Sequence, residues 1–221
     1  MKVKYPSPNY QEWKQFEGKK VVATSQFSGK IFDFLPNTGK VLDLGCGNGR
    51  LSKQIKDKGY EVWGIDVNKD AINVAKNDSD LFGIIFSVQD ATKMEYEDNF
   101  FDGVIEQAVL ACMDKSDRQL VLREIYRIIK KGGILSIGEF GMKPNREEKY
   151  KADALIAGEY GTMIIRKEDG TEWFRSHNFT QEELEELIKE AGFEIIDYMN
   201  PVFKTFHGNP QPGHQYLAKK K

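Results

Sequence analysis

Four acidic or glycine-rich stretches at the ends of successive apolar runs could do chemistry in this chain. The first is the turn Val41-Leu-Asp-Leu-Gly-Cys-Gly-Asn-Gly-Arg50. Its glycines let the backbone bend sharply and let a ligand approach closely. The helix expected after it offers free amides to an anionic group, such as a carboxylate or phosphate. Asp43 stands two residues before the first glycine. An unpaired carboxylate there disfavours a pyrophosphate and favours a ligand that also carries an ammonium. The spacing Gly45-Cys46-Gly47-Asn48-Gly49 is GxGxG, which differs from the GxGxxG of dinucleotide sites.

Asp66, in Gly64-Ile-Asp-Val67, ends the next run, about 20 residues after the loop. There it can accept both ribose hydroxyls, and it repels a 2′-phosphate. Gln89-Asp90-Ala91 follows a third run. The Asp90 carboxylate can accept from an adenine amino group while a nearby amide donates to the ring. Phe101-Asp-Gly-Val-Ile-Glu-Gln-Ala-Val-Leu110 puts Glu106 and Gln107 at the carboxyl end of a fourth strand, the edge where open α/β sheets bind ligands. Each feature alone is common. Together they describe a site for a nucleoside with a cationic amino-acid end. S-adenosylmethionine, with its carboxylate, ammonium and sulfonium, has that chemistry.

These residues need a sheet to position them. The pattern predicts strands over 40–44, 61–65, 84–88, 102–106 and 134–140. Helices are expected over 51–58, 69–76 and 116–129. The last of these carries Leu120, Ile125, Ile128 and Ile129 on its apolar face and breaks at Lys131-Gly132-Gly133. Alternation of strand and helix implies a mainly parallel sheet covered on both faces. Residues 141–178 interrupt the alternation. They read as a helix over 146–159 and a hairpin around Glu168-Asp169-Gly170. Thr180-Gln-Glu-Glu183 is a capping box for a helix that Gly192 closes. Strands over 193–199 and 214–218 end the chain, joined by a loop over 200–213. The forty N-terminal residues are aromatic and amphipathic and read as one or two helices near the site.

With Leu-Arg-Glu-Ile-Tyr-Arg-Ile-Ile-Lys-Lys-Gly-Gly133 added, this ordered set of motifs resembles the class I S-adenosylmethionine-dependent methyltransferases, most closely their small-molecule-type branch. The match covers 38–140 and, more loosely, 177–219. The resemblance implies a Rossmann-like seven-stranded sheet, mostly parallel with an antiparallel last strand, helices on both faces and an added helix–hairpin lid. It implies a single domain over 1–221. This comprises a helical cap (1–37), a cofactor-binding core (38–140), a lid insertion (141–178) and a C-terminal helix and strand pair (179–221). It implies backbone contacts to methionine from Gly45, Cys46 and Gly47, ribose bonding by Asp66 beside Val67, adenine bonding by Asp90 and Ala91, and main-chain contact from Gln107. The product would be S-adenosylhomocysteine. Many relatives read Leu-Glu-His after the fourth strand. Here the stretch is Leu110-Ala-Cys112, so a histidine near the site is missing.

Methyl transfer is an in-line displacement that depends mainly on positioning, and a base is needed only for a protonated nucleophile. His177, at the end of the hairpin, and Glu139, at a strand end, are the candidate catalytic residues. His207, His214 and Glu106 are weaker ones. Tyr10 and Trp13 could close over the cofactor but fit a core stripe as well. Cys46 and Cys112 fit packed thiols. The histidines and cysteines are too scattered for a metal site.

The chain has 221 residues, 40% of them apolar, and a formal net charge of −2. That near neutrality gives no global grip on a polyanion, and no nucleic-acid-binding module is appended. No apolar run approaches the ~18 residues of a membrane span. The expectation is therefore a cytoplasmic monomer or homodimer with a small-molecule substrate and no nucleic-acid or membrane partner. The alternatives are a protein or RNA methyltransferase and a non-catalytic cofactor-binding module. A nicotinamide oxidoreductase is disfavoured by Asp43 and the GxGxG spacing.

Overall fold

The computed structural model describes residues 28–205 and 209–221. The expectations for Tyr10, Trp13, His207 and most of the N-terminal cap lie outside them. The chain alternates as expected through β1 (Lys40–Leu44), α1 (Arg50–Asp57), β2 (Glu61–Asp66), α2 (Lys69–Asn77), β3 (Ile85–Val88), β4 (Phe101–Gln107), α3 (Lys115–Ile128) and β5 (Ile129–Phe140). The insertion supplies α4 (Glu147–Ala157) and the hairpin β6 (Thr162–Arg166) and β7 (Glu172–His177). The chain then returns through α5 (Gln181–Glu190), β8 (Phe193–Met199), β9 (Val202–Lys204) and β10 (Pro210–Lys220).

The main sheet runs β3-β2-β1-β4-β5-β10-β8, with β9 paired to β10 outside this path. Seven strands in the path match the expected count, and β9 makes an eighth. The first five strands pair in parallel. β10 is antiparallel to both β5 and β8. Strand order reverses between β1 and β4, so the crevice for a ligand opens above their carboxyl ends.

Two apolar layers hold the sheet. Leu42, Leu44, Val104, Leu135, Ile137 and Tyr216 face α3 and α5. Val41, Val62, Ile105, Ile134 and Leu217 face α1 and the turn at Ile31 and Leu35. Each fully buried aliphatic side chain contributes roughly 1.5–3 kcal/mol. The two layers therefore fix the strand ends that carry the site.

Several expected boundaries shift for physical reasons. α3 ends at Ile128, and β5 starts directly at Ile129, so Lys131-Gly132-Gly133 lies within a strand. A register irregularity against β4 absorbs it. Leu120 is 43% exposed, and Val121 and Leu122 take the core positions instead. The loop expected over 200–213 forms a short hairpin, because Val202–Lys204 pairs with Pro210–Pro212. The capping box is half made. Thr180 accepts from the Glu183 amide at 3.1 Å, while the Glu183 carboxylate turns to His177 instead of completing the box.

Candidate cofactor site

The loop after β1 is held by its own amides. Gly45 and Cys46 donate to the Ile65 carbonyl at 2.8 and 2.9 Å, and Gly47 donates to Asp66 Oδ2 at 2.9 Å. The three residues expected to contact a methionine end thus have their amides committed inside the protein. Contact from them would come through carbonyls. α1 follows directly, with no side-chain cap at its start.

Gly45 needs its lack of a side chain twice over. Its φ is +74°, and a Cβ there would overlap the Val109 side chain. Gly47 has a φ of +53° with open space on its Cβ side. We expect Gly45→Ala to cost about 2–5 kcal/mol, combining left-handed strain with overpacking. Thermal unfolding should report a fall in Tm, and calorimetry should find ligand binding at the loop lost. An unchanged Tm would refute this reading of the turn.

Asp43 lies beneath the loop, 2% exposed, and Ser52 of α1 donates to it at 2.5 Å. Burial pushes its carboxyl up to about 7, against the opposing Ser52 bond. Asp66 accepts from Gly47 and, at 2.8 Å, from Asn68. Burial also raises its carboxyl above the usual range, with these amides opposing. Asn68 then caps α2 by accepting from Asp70 and Ala71, which fixes Val67 in the connection. Asp90 closes a local turn by accepting from the Thr92 amide at 2.8 Å and its hydroxyl at 2.7 Å, with Ala91 buried beside it.

Above β4 the chain makes a turn that the sequence did not reveal. Ala108 adopts φ +56°, a left-handed conformation uncommon for alanine and typical of functional sites. Two buried carboxyls brace the turn from below. Glu106 accepts from the Val109 amide at 2.6 Å, and Glu139 accepts from the Leu110 amide at 2.6 Å. The two carboxyls are near neighbours beneath the turn. Burial, then their mutual repulsion, raises Glu139 well above the ordinary carboxylate range.

Glu139 was expected to meet substrate. It is fully buried and spends both oxygens on the turn, so it is a brace. His177 was expected to face the methyl group. It is 1% exposed, with Nδ1 2.9 Å from Thr162 Oγ1 and Nε2 3.0 Å from Glu183. It belongs to a clasp rather than an open surface. His214 is also engaged, with Nδ1 2.8 Å from the Tyr198 hydroxyl and Nε2 3.2 Å from the Phe179 carbonyl.

The clasp centres on Arg118 of α3. Its guanidinium grips Glu159 with two bonds of 2.7 and 2.9 Å, and its Nε donates to the Leu110 carbonyl at 3.2 Å. Glu183 lies 3.9 Å away. Glu159, His177 and Glu183 place ligand atoms within 4.8 Å of one another, a spacing that could suit a metal. Arg118 already pairs with Glu159 at 2.7 Å and lies 3.9 Å from Glu183, so its charge offsets these carboxylates. The clasp therefore joins the insertion, α5 and the turn over the cofactor edge.

The donor set in the crevice is one of buried acids, glycine backbone and a helix start. It fits a cationic amino acid joined to a nucleoside. A methyltransferase-domain family model matches residues 36–192, which is more than half of the chain. The chain belongs to the class I S-adenosylmethionine-dependent methyltransferases. The methyltransferase is 32% identical to the ubiquinone/menaquinone biosynthesis C-methyltransferase UbiE of Neisseria gonorrhoeae, over 73% of this chain and 69% of that one. The UbiE of Neisseria meningitidis serogroup C is 30% identical over the same shares. A crystal structure of an S-adenosylmethionine-dependent methyltransferase from Methanosarcina mazei superposes with a TM-score of 0.83 at 30% identity, covering 89% of this chain and 99% of that one. A 1,6-didemethyltoxoflavin-N1-methyltransferase from Burkholderia thailandensis, with bound S-adenosylhomocysteine, shares the fold at a TM-score of 0.63 and 19% identity, over 88% and 76%. The methyltransferase uses S-adenosylmethionine, which supplies an electrophilic methyl on its sulfonium. No helix among the described residues is long and apolar enough to cross a membrane.

Proposed function

We propose that this enzyme methylates a small-molecule acceptor. The likeness to UbiE proteins over 73% of the chain carries the proposal, since their name describes carbon methylation in quinone biosynthesis. The near-neutral charge supports it, because it gives no general attraction to nucleic acid. In this reading Asp43 takes the methionine ammonium, and the carbonyl side of Gly45, Cys46 and Gly47 lines the methionine chain. Asp66 with Val67 holds the ribose, Asp90 and Ala91 hold the adenine, and the Gln107 main chain closes the methionine end. Residues 141–178 serve as a lid, clasped to α3 by Arg118.

The buried settings of His177 and Glu139 favour catalysis by alignment, without an obligatory base from either. Holding nucleophile and methyl in line supplies most of the rate in such a site. A cell extract supplied with methyl-labelled S-adenosylmethionine tests the substrate class. Label in the small-molecule fraction, dependent on the enzyme, is the expected result. Label only in protein or RNA would refute it.

A further inference from the structure

His177 ends the lid hairpin, and its ring is closed to solvent among Glu159, Thr162, Glu183 and the Phe179 ring. The bonds around it fix where protons can sit. Glu159 takes two guanidinium bonds from Arg118, so it is a carboxylate that only accepts. The Thr162 hydroxyl has one hydrogen and donates it to Glu159 at 2.9 Å. Thr162 Oγ1 must then accept from His177 Nδ1, 2.9 Å away. Glu159 Oε2 is a second acceptor 3.3 Å from the same nitrogen. On the other side, Nε2 meets both oxygens of Glu183 at 3.1 and 3.0 Å.

A neutral imidazole carries one N–H and one bare lone pair. Either tautomer would aim that lone pair at an oxygen acceptor in a site without water, which is costly. The charges agree. Glu159 from the turn before β6 and Glu183 from α5 are the acids facing the ring, and Arg118 of α3 stands behind them, 3.9 Å from Glu183. β6 contributes only the neutral Thr162. A ring with both protons gives the cluster two cations for two carboxylates. A neutral ring would leave a buried negative charge uncompensated.

We propose that His177 is an imidazolium whose second proton latches the lid, so that docking of residues 141–178 depends on pH. Nε2 joins the end of the hairpin to α5, and Nδ1 joins it to Thr162 and Glu159, which Arg118 holds to α3. Loss of either proton breaks one of these ties. The latch is held below the deprotonation of His177 and weakens as pH rises through it. An imidazolium also has no lone pair for a metal, so this cluster should not take zinc. The latch rests on the reading of residues 141–178 as a lid, and the protonation state does not.

The full-length protein with nitrogen-labelled histidine tests both parts by NMR, titrated from about pH 6 to about pH 10. At about pH 7 both His177 ring nitrogens should carry hydrogen. Glu183→Gln removes a facing carboxylate and should move the His177 midpoint down by about one pH unit or more. Amide hydrogen exchange of residues 162–177, corrected for its intrinsic rise with pH, should quicken by about tenfold or more as the ring loses its proton. His177→Gln should show no such step. A neutral tautomer at about pH 7, a midpoint unmoved in Glu183→Gln, or ring signals shifted by added zinc would overturn the imidazolium. A level corrected exchange rate through the titration, or the same step in His177→Gln, would overturn the latch. Fast exchange of residues 162–177 at every pH would instead contradict the lid reading, so the failures are distinguishable.

Discussion

S-adenosylhomocysteine should bind this enzyme more tightly as pH rises, by nearly tenfold per unit below about pH 7, and then level off. The cause is Asp43. Burial holds its carboxyl at about 7 in the ligand-free protein, so it is mostly protonated in acid. An ammonium can be taken only by the ionised form, so binding must release that proton. The stability of the ligand-free protein follows the opposite course. A carboxyl raised above its unfolded value stabilises the fold most below about pH 4, and that contribution fades as pH rises through about 7. The rise in Tm caused by ligand should therefore grow over the same window. Calorimetry from pH 5 to 8 measures the first effect. Asp43→Asn should flatten the profile and weaken binding at pH 8 by about tenfold or more. Glu106 also titrates abnormally, so Glu106→Gln, which should keep the slope, is the control. A level wild-type profile would rule Asp43 out as the ammonium acceptor.

Arg118→Met should cause the largest loss of stability among clasp substitutions. The side chain is 1% exposed and sits over the Phe179 ring, with 5.2 Å between guanidinium carbon and ring centre. Methionine keeps much of the packing and removes the charge. Glu159 then loses its two-bond partner, and breaking a buried pair in this way costs about 3–5 kcal/mol. For a domain of this size that is a fall in Tm on the order of 10 °C. Burial raises the Glu159 carboxyl, but hydrogen bonds and charge from His177 and Arg118 outweigh it and hold the group well below the ordinary range. A depressed carboxyl stabilises above its unfolded value, and that contribution is lost as pH falls. Arg118→Met should therefore also flatten the acid side of the stability profile. Since Arg118 Nε bonds the Leu110 carbonyl, methyl transfer should fall with it. A Tm within 2 °C of wild type, by calorimetric scanning, would show the clasp to be unimportant.

The parts of the fold that obey local periodicity were legible. Alternating apolar runs located the parallel strands, and Thr180 and Gly192 located the ends of α5. The cofactor motifs were legible too, because Asp43, the glycine turn, Asp66 and Asp90 each sit at a strand end a few residues from their element. Arrangements built across long sequence separations were not. Arg118 reads as one more charge on a polar helix face, and its partner Glu159 lies in the insertion. Glu106 and Glu139 look like ligand-facing acids because they end adjacent strands. Only packing reveals that they turn to the amides of residues 109–111. His177 was found as a notable residue, but its burial between Thr162 and Glu183 depends on how the hairpin docks. Backbone contact to the ligand was expected from Gly45, Cys46 and Gly47, but which of their groups stay available was not legible. Their amides point to β2, because the turn ties itself to the neighbouring strand.

The crevice above β1, β2 and β4 should take S-adenosylmethionine and its product. Isothermal calorimetry with S-adenosylhomocysteine near pH 8 tests it directly. One site per chain with micromolar or tighter affinity is expected. Asp66→Ala should weaken it by about 1.5–3 kcal/mol, or roughly 10- to 100-fold, as a charged hydrogen-bond partner of the ribose is lost. No heat of binding at millimolar ligand, or an affinity unchanged in Asp66→Ala, would contradict it.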